Sequence, residues 1–595
     1  MKTQFKAAKR LYRRHISRFI TIICIVIVSI GFMSGVGEVE NKINESNKYY
    51  YNECNLFDIN IKSKSPLGFT QDEIKLIQDE YGMDNVYKAL TYDLLDDNEA
   101  ITRYHYYDFD NNINKFEILE GRLPEKTTEV LVERPTLFLE SFNLGDKIEI
   151  GGIEYSVCGI ITNPLYTYEP EEPSYLFPDD YPDKYLSNII YIDTEFLPIV
   201  SDLYITLEDR DVFESFSEEY EVLIDKEKSN INTILNNENI KILTLYDNLG
   251  LYTFDYYGQK VSTIGIIFVV FFLLVTLLVV YSTMTRLLDE ERGQIACQKT
   301  LGYSNRKIIR KYTVFVLLAT LIGGVLSFEV GNLLTKVIYN GMKAHYYAGP
   351  YASKTNYTYY SIVFAIVVVA TTLLTFITGM KVTNKKPVVL LTPKVAKVGH
   401  KVFTERIKFI WNRLSFRYKS TIRNVFLFKS RLLMTVVSIT GSSVLVLSGM
   451  ALLDNTKYEK LDSPAITLVA IAVLIFSAAL SLLVIYNITN INISERNREI
   501  ATLMVLGYRK NEVTGYIFRE IYIMSGIGAI LGLPFGTIFL NFVFDAIDFG
   551  SFKGINWSTW VLAPIITMLF TFFSTLILRG KILKVNMNES LKTNE

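Results

Sequence analysis

Two stretches decide how this chain folds: EERGQIACQKTLGY at 290–303 and ERNREIATLMVLGY at 495–508. Laid on each other without a gap, they match Glu290 with Glu495, Ile295-Ala296 with Ile500-Ala501, and Leu301-Gly302-Tyr303 with Leu506-Gly507-Tyr508. The same shift of 205 positions continues outward. Tyr281 meets Tyr486, Ile322-Gly323 meets Ile527-Gly528, Leu326 meets Leu531 and Gly331 meets Gly536. A fixed offset of this kind marks an internal repeat. One ambiguity remains at its edge, because a single-residue gap pairs Glu291-Arg292 with Glu495-Arg496 instead. A second offset, of 413 positions, sets Lys6, Arg10, Ser17 and Arg18 on Lys419, Arg423, Ser430 and Arg431.

The repeated unit is a membrane unit. A helix needs about 20 mostly apolar residues to cross a bilayer, and eight such runs occur. They divide the chain into a basic amphipathic helix (1–18), span one (19–36), a polar domain (37–258), span two (259–285), a loop (286–311) and spans three and four (312–380). A linker with a second amphipathic helix (381–430), spans five and six (431–487), a second loop (488–514), spans seven and eight (515–580) and a tail (581–595) complete it. The expected fold is a mostly α membrane protein, with two pseudo-symmetric four-helix halves and one extracytoplasmic α+β domain. Four spans per half return the chain to the same side, so the repeats are parallel and imply a pseudo-two-fold axis along the membrane normal.

Orientation follows the basic flanks. Lys2, Lys6, Lys9, Arg10, Arg13, Arg14 and Arg18 precede span one, and the loops on the same side are rich in Lys and Arg. The polar domain is acidic, with Asp96, Asp97 and Glu99, then Glu169, Glu171 and Glu172. Both termini are therefore expected in the cytoplasm, of a multi-pass plasma-membrane protein, and the large domain outside. A cleaved secretory signal is the competing reading of residues 1–36, but the apolar run is long and no clear small-x-small site follows it.

Each loop reads as a helix ended by a glycine that can turn left-handed, Gly302 or Gly507. In the first loop Ser304 then caps an expected short helix, about Asn305–Arg310, lying across the membrane face. One such loop reads as an ordinary interfacial connector; two in register read as docking handles for a two-fold symmetric partner. The coupling candidates are Glu290, Ile295, Ala296, Leu301, Gly302 and Tyr303, with Glu495, Ile500, Ala501, Leu506, Gly507 and Tyr508. Glu329, inside span three, is an intramembrane polar candidate; its counterpart is Pro534, which suggests a kink in span seven. Gly323, Gly324, Gly331, Gly526, Gly528 and Gly532 suit close helix packing.

These loops, "ERGQIACQKTLGYSNRKIIRKY" at 291–312 and "ERNREIATLMVLGYRKNEVTGYIF" at 495–518, resemble the FtsX-like, or MacB-type, permeases of ABC transporters. "RNVFLFKSRLLMTVVSI" at 423–439 and "KILKVNMNESLK" at 581–592 resemble that family's entry helix and tail. "EGRLPEKTTEVLVE" at 120–133 and "LGDKIEIGGIEYSVCGIITNPLY" at 144–166 resemble its periplasmic-core domain. The chain departs from four-span members by having two halves, and from ten-span antimicrobial-peptide exporters by carrying its large domain in the first half. The resemblance implies a separate cytosolic ABC ATPase, two copies per chain, binding the ATP and Mg. It also implies membrane lipid and an extracytoplasmic accessory protein as partners, and a hydrophobic or amphipathic substrate such as an antimicrobial peptide, lipid or lipoprotein. An FtsX-like relay to a cell-wall hydrolase or sensor kinase is the alternative.

The chain is expected to hold no cofactor or metal and to perform no catalysis itself. No Gly-x4-Gly-Lys-Ser/Thr loop occurs, and His15, His105, His345 and His400 lack ligand spacing. With 61 basic and 62 acidic residues the charge is balanced, and no nucleic-acid partner is expected. In the polar domain, Asn55–Ser63 alternates as a strand, and Thr70 with Glu73 forms a capping box for a helix to Tyr81. Lys147–Cys158 reads as a hairpin about Gly151-Gly152, Ser217–Leu235 as a helix and Ile240–Leu245 as a strand. Cys54 and Cys158 are expected as free thiols, with one disulfide between them the alternative, and Tyr104, Tyr106, Tyr107, Tyr166 and Tyr168 as core and surface residues rather than a ligand surface.

Overall fold

The computed structural model describes residues 10–583 except 96–100, 137–138, 168–185, 213–215, 343–345, 347–356, 393–414, 428 and 459–463. Lys2, Lys6, Lys9, the acidic groups around 96–99 and 169–172, Tyr168, His345, His400 and the tail from 584 lie outside the described residues. Among the described residues, eight helices are long and apolar enough to cross a membrane. In the first half these are α1 (Ile16–Lys48), α4 (Leu249–Glu290), α6 (Asn305–Met342) and α7 (Tyr357–Thr383). The second half has α10 (Lys429–Tyr458), α11 (Pro464–Glu495), α13 (Lys510–Ile547) and α14 (Trp557–Leu583). The short helices are α2 (Gln71–Tyr81), α3 (Glu218–Leu235), α5 (Arg292–Thr300), α8 (Pro387–Leu391), α9 (Phe416–Leu427) and α12 (Asn497–Val505).

Glycine contacts place the two halves on one plan. α1 packs along α6, and α10 along α13. A Cβ on Gly323 would meet the Ile23 carbonyl and Val26 at 2.9 Å; on Gly528 it would meet Ile439 at 2.9 Å and the Val436 carbonyl at 3.1 Å. The glycines are related by the offset of 205 that relates the loops, and their neighbours by the offset of 413 that relates the entry segments. Gly331 against Ser34 and Gly536 against Leu447 repeat the relation. Gly324 packs on Phe364 and Gly532 on Ser443, whereas Gly526 has open space and takes no part in packing. Without a hydrophobic drive between helices in lipid, such close backbone approach supplies the contact energy. Pro534 sits inside the unbroken helix α13.

Contact between the halves runs chiefly through α11, which packs on α1, α4 and α6. Asn487 donates to Thr283 at 2.8 Å at this seam. At the end nearer the sheet domain, Lys260 of α4 reaches across. Its Nζ donates to the carbonyls of Ile547 (3.0 Å) and Asp548 (2.7 Å), where α13 ends in a left-handed residue, and it lies 4.4 Å from the Tyr256 ring centroid. The ammonium thus satisfies carbonyls that have no partner inside the helix.

α1 and α4 continue past their apolar runs and rise together as a stalk, bridged by Asn47 to Asp255 at 2.9 Å. The stalk enters a mixed sheet of ten strands: β1 (Ile59–Ser63), β2 (Val86–Leu95), β3 (Ile101–Tyr107), β4 (Glu117–Gly121), β5 (Glu129–Glu133), β6 (Lys147–Ile150), β7 (Ile153–Thr162), β8 (Leu186–Asp193), β9 (Asp202–Ile205) and β10 (Ile240–Thr244). The order is β10-β1-β9-β2-β3-β8-β5-β7-β4, with β6 paired to β7. The capping box forms, with the Thr70 amide donating to Glu73 at 2.8 Å. The β6–β7 hairpin turns through Gly151 and Gly152 at φ +59° and +83°, the conformation such a two-residue turn needs. The first strand begins at Ile59 rather than Asn55, because Asn55 itself adopts φ +46°. Cys54 and Cys158 are free thiols, both pushed up to about 11 by burial. Tyr104, Tyr107 and Tyr166 are buried core residues. Asp58, fully buried, accepts from Tyr51 at the stalk's end and from Tyr220 of α3, each at 2.7 Å.

Two expectations follow. Gly323→Ala and Gly526→Ala both gain about 1 kcal/mol of helix propensity, but only the first forces a Cβ onto its neighbour, at about 1–3 kcal/mol. Thermal unfolding in detergent should place the Gly323 variant clearly below the Gly526 variant. In the sheet domain, Glu133 accepts from Tyr191 at 2.8 Å, yet burial pushes its carboxyl up to about 8. The folded state then holds a proton that the unfolded state releases, so stability falls as pH rises from ~4.5 to ~8. Glu133→Gln should flatten that part of the pH–Tm profile.

Candidate functional site: paired elbows opposite the sheet domain

α4 descends from the sheet domain and breaks for one residue at Glu291; α5 follows. α11 breaks at Arg496 before α12. Glu291 and Arg496 are 205 positions apart, so the ungapped register holds and a gap is unnecessary. Both short helices end the same way. The Gly302 amide donates to Lys299 O at 3.0 Å and the Tyr303 amide to Gln298 O at 3.1 Å; Gly507 to Met504 O and Tyr508 to Leu503 O are both 3.1 Å. This is the Schellman pairing, which needs a left-handed residue after the cap, and the glycines sit at φ +85° and +92°. Open space surrounds both, so glycine is required by backbone conformation and not by crowding.

The expected short helix at Asn305–Arg310 is a correction. Those residues are the first turns of α6, which runs unbroken to Met342. Ile308, Ile309, Tyr312, Phe315 and Val316 are all buried, so one apolar stripe continues from the corner into the span. The short helix of each elbow lies before the glycine, as α5 and α12.

The candidate residues divide by exposure. Ile295, Ala296, Ile500 and Ala501 are fully buried and seat the elbows on the bundle. Leu301 is 76% exposed, Leu506 69%, Tyr508 53% and Tyr303 42%. Large apolar side chains thus stand on both glycine corners. Glu290 is exposed and bonds Arg18 at 2.5 Å. The side chain of Glu495 lies outside the described residues. Glu329 is exposed on α6, near the ring pair Phe328–Tyr357, and has no hydrogen bond or ion pair among the described residues.

Residues that the sequence did not single out hold the elbows in place. In the first half, buried Glu291 meets His15 at 3.3 Å and Arg14 at 3.4 Å. Burial raises its pKa, but the hydrogen bond from His15 and the charge of Arg14 outweigh this and hold it below the ordinary carboxylate value. Arg292 donates to the carbonyls of Leu390 (2.8 Å) and Val389 (2.6 Å), strapping α8 onto α5, and Lys299 donates to those of Thr383 (2.5 Å) and Lys385 (2.6 Å), holding the end of α7 there too. In the second half the sign is reversed. Arg496 pairs with Glu520 of α13, both almost fully buried, and Asn424 of α9 donates to Glu520 at 2.8 Å. The available signal was Glu520 at the edge of an apolar run, and the opposite charges of Glu291 and Arg496 at one repeat position.

Arg496→Met leaves Glu520 buried without its cation, a loss of about 3–5 kcal/mol. Thermal unfolding should show that loss, and Arg496→Met with Glu520→Gln should recover most of it, because the amide keeps the Asn424 bond without a charge.

The model of the FtsX-like permease C-terminal domain matches residues 266–387 and again 471–587, one match per half. No curated protein matches the chain. Among solved structures, the crystal structure of the periplasmic region of MacB from Actinobacillus actinomycetemcomitans aligns with 31% of this chain and 87% of its own. That alignment has 9% identity and a TM-score of 0.18, too slight to support an argument. The chain is a multi-pass membrane protein, and each of its two halves carries a stretch similar to the FtsX-like permease C-terminal domain.

Proposed function

We propose that this chain is the permease subunit of an ABC transporter in a bacterial plasma membrane, with both termini and both elbows in the cytoplasm. Two copies of a separate ATPase, which bind the ATP and Mg, dock on the corners at Gly302 and Gly507. The observation that carries this is the pair of matching Leu-Gly-Tyr corners, each exposing large apolar side chains beside a rigid backbone turn. Exposed aromatic and aliphatic groups of that kind act as anchors when a partner covers them. A two-fold ATPase dimer would meet two equivalent handles, and its closure would move them together.

The movement has a route outward. α4 is one 42-residue helix from the first elbow to the sheet domain, roughly 60 Å at 1.5 Å per residue. Work done at the elbow therefore reaches the outer domain through hydrogen-bonded backbone. The substrate we infer is hydrophobic or amphipathic, of the antimicrobial-peptide, lipid or lipoprotein class, taken at the outer leaflet. Ile266, Val270 and Leu274 on α4 are exposed, which supports access from lipid.

The test uses the purified chain in nanodiscs with its cognate ATPase. Leu301→Asp and Leu506→Asp should each weaken ATPase docking by about 2 kcal/mol, roughly thirtyfold in Kd, and the double variant should abolish stimulation of ATP hydrolysis. Full stimulation by the folded double variant overturns the docking reading.

A further inference from the structure

The sheet domain contains a polar cavity of ≈ 210 Å³ that the permease reading does not use. Its floor is the face formed by β1, β9, β2 and β3. One wall is the turn that starts α4, with Asp247, Asn248 and Gly250. Most of its polar groups are already paired. Arg103 is held by both oxygens of Asp93 at 2.7 and 2.8 Å. His105 bonds Thr91 at 3.0 Å and Tyr166 at 2.8 Å, one through each ring nitrogen. Asp247 accepts from the Thr244 amide at 2.7 Å.

Three further groups keep bonding capacity. Lys62, half-buried on β1, has no hydrogen bond or ion pair among the described residues. Asp202 stands directly across from it on β9; it is 2% exposed and already accepts from the Ser201 hydroxyl at 2.5 Å. Asn60, two residues along the same strand face and 6% exposed, donates its amide to Asp202 at 3.2 Å. Its carbonyl oxygen is buried with no partner among the described residues. A buried acceptor left open is destabilising, so a donor that reaches it gains differential binding. An ammonium and a carboxylate therefore face each other across adjacent strands without touching, beside a bare carbonyl.

We propose that this cavity binds a small ligand bearing an α-carboxylate with an N–H donor on the adjoining carbon: an α-amino acid or the carboxyl-terminal residue of a peptide. The carboxylate meets Lys62, and the nitrogen donates to the Asn60 carbonyl and Asp202. Side chains two apart on a strand lie roughly 7 Å apart at their Cα atoms, a separation that the Lys62 stem can shorten to fit. Phosphate fits less well, because Asp202 and Asp247 repel a dianion that a single free ammonium would have to hold. The volume also points to one residue's worth of ligand, since cavities for drug-sized molecules begin at about 300 Å³. Because one wall is the start of α4, a bound ligand touches the element that joins the sheet domain to the first elbow.

Binding is read on the full chain in detergent by calorimetry and Tm shift, without nucleotide or ATPase, so failure here is separable from failure of docking. The probes are the free α-amino acids, their N-acetyl derivatives and their carboxamides. Some free acid or N-acetyl acid should bind, and the matching carboxamide at least tenfold more weakly. Lys62→Met should lose at least tenfold, and Lys62→Arg should keep most of the affinity, with unfolding of the ligand-free variants unchanged. Binding of free acids alone assigns a free amino acid; binding of N-acetyl acids as well assigns a peptide terminus. No binding across the series, equal binding of carboxamides, or unaltered binding by Lys62→Met overturns the proposal.

Discussion

Close contact between the first and third helices of each half is the constraint from which the membrane architecture follows. In lipid there is no water to expel from between two helices, so they must gain by packing surfaces tightly. A glycine at one point on each third helix lets the first helix approach its backbone, at Gly323 and again at Gly528. Once that point is set, the rotation of both helices is set with it. The fourth helices then line their inner faces with threonines that bond back to their own backbone, Thr371 and Thr375 in one half, Thr567 and Thr571 in the other. Polar atoms are thereby satisfied locally, as the membrane interior demands.

On this common plan the elbows have diverged in charge while keeping shape. The first is held by cations of the entry segment acting on Glu290 and Glu291, and by the strap of α8. The second is held by a cation within the elbow acting on a glutamate in the next span. A buried pair needs one partner of each sign but does not dictate which element supplies it. The exchange explains why repeat alignment is clear at Leu-Gly-Tyr, where backbone geometry rules, and blurred a few residues earlier, where any complementary pair serves.

Local signals were therefore legible and distant ones were not. Apolar runs gave the eight spans, glycine spacing gave the corners, and Thr70 with Glu73 gave a helix start, because each is written within a few consecutive residues. The helix break expected after Arg310 does not occur; its polar residues lie on the free side of a stripe that continues through Ile308 and Tyr312. Glu520 reads as an oddity until Arg496 and Asn424 arrive from other elements. Asn60, Lys62 and Asp202 look like ordinary strand polar residues, and only strand order brings them into one cavity.

The bond from Lys260 to the end of α13 has no counterpart among the described residues of the other half, where the repeat places Ala465. Among the described residues, the two halves are thus tied near the sheet domain by a bond that the repeat does not duplicate. If the two bundles rock against each other, they pivot about that tie rather than parting evenly. The halves then trace unequal arcs about a point beside the sheet domain.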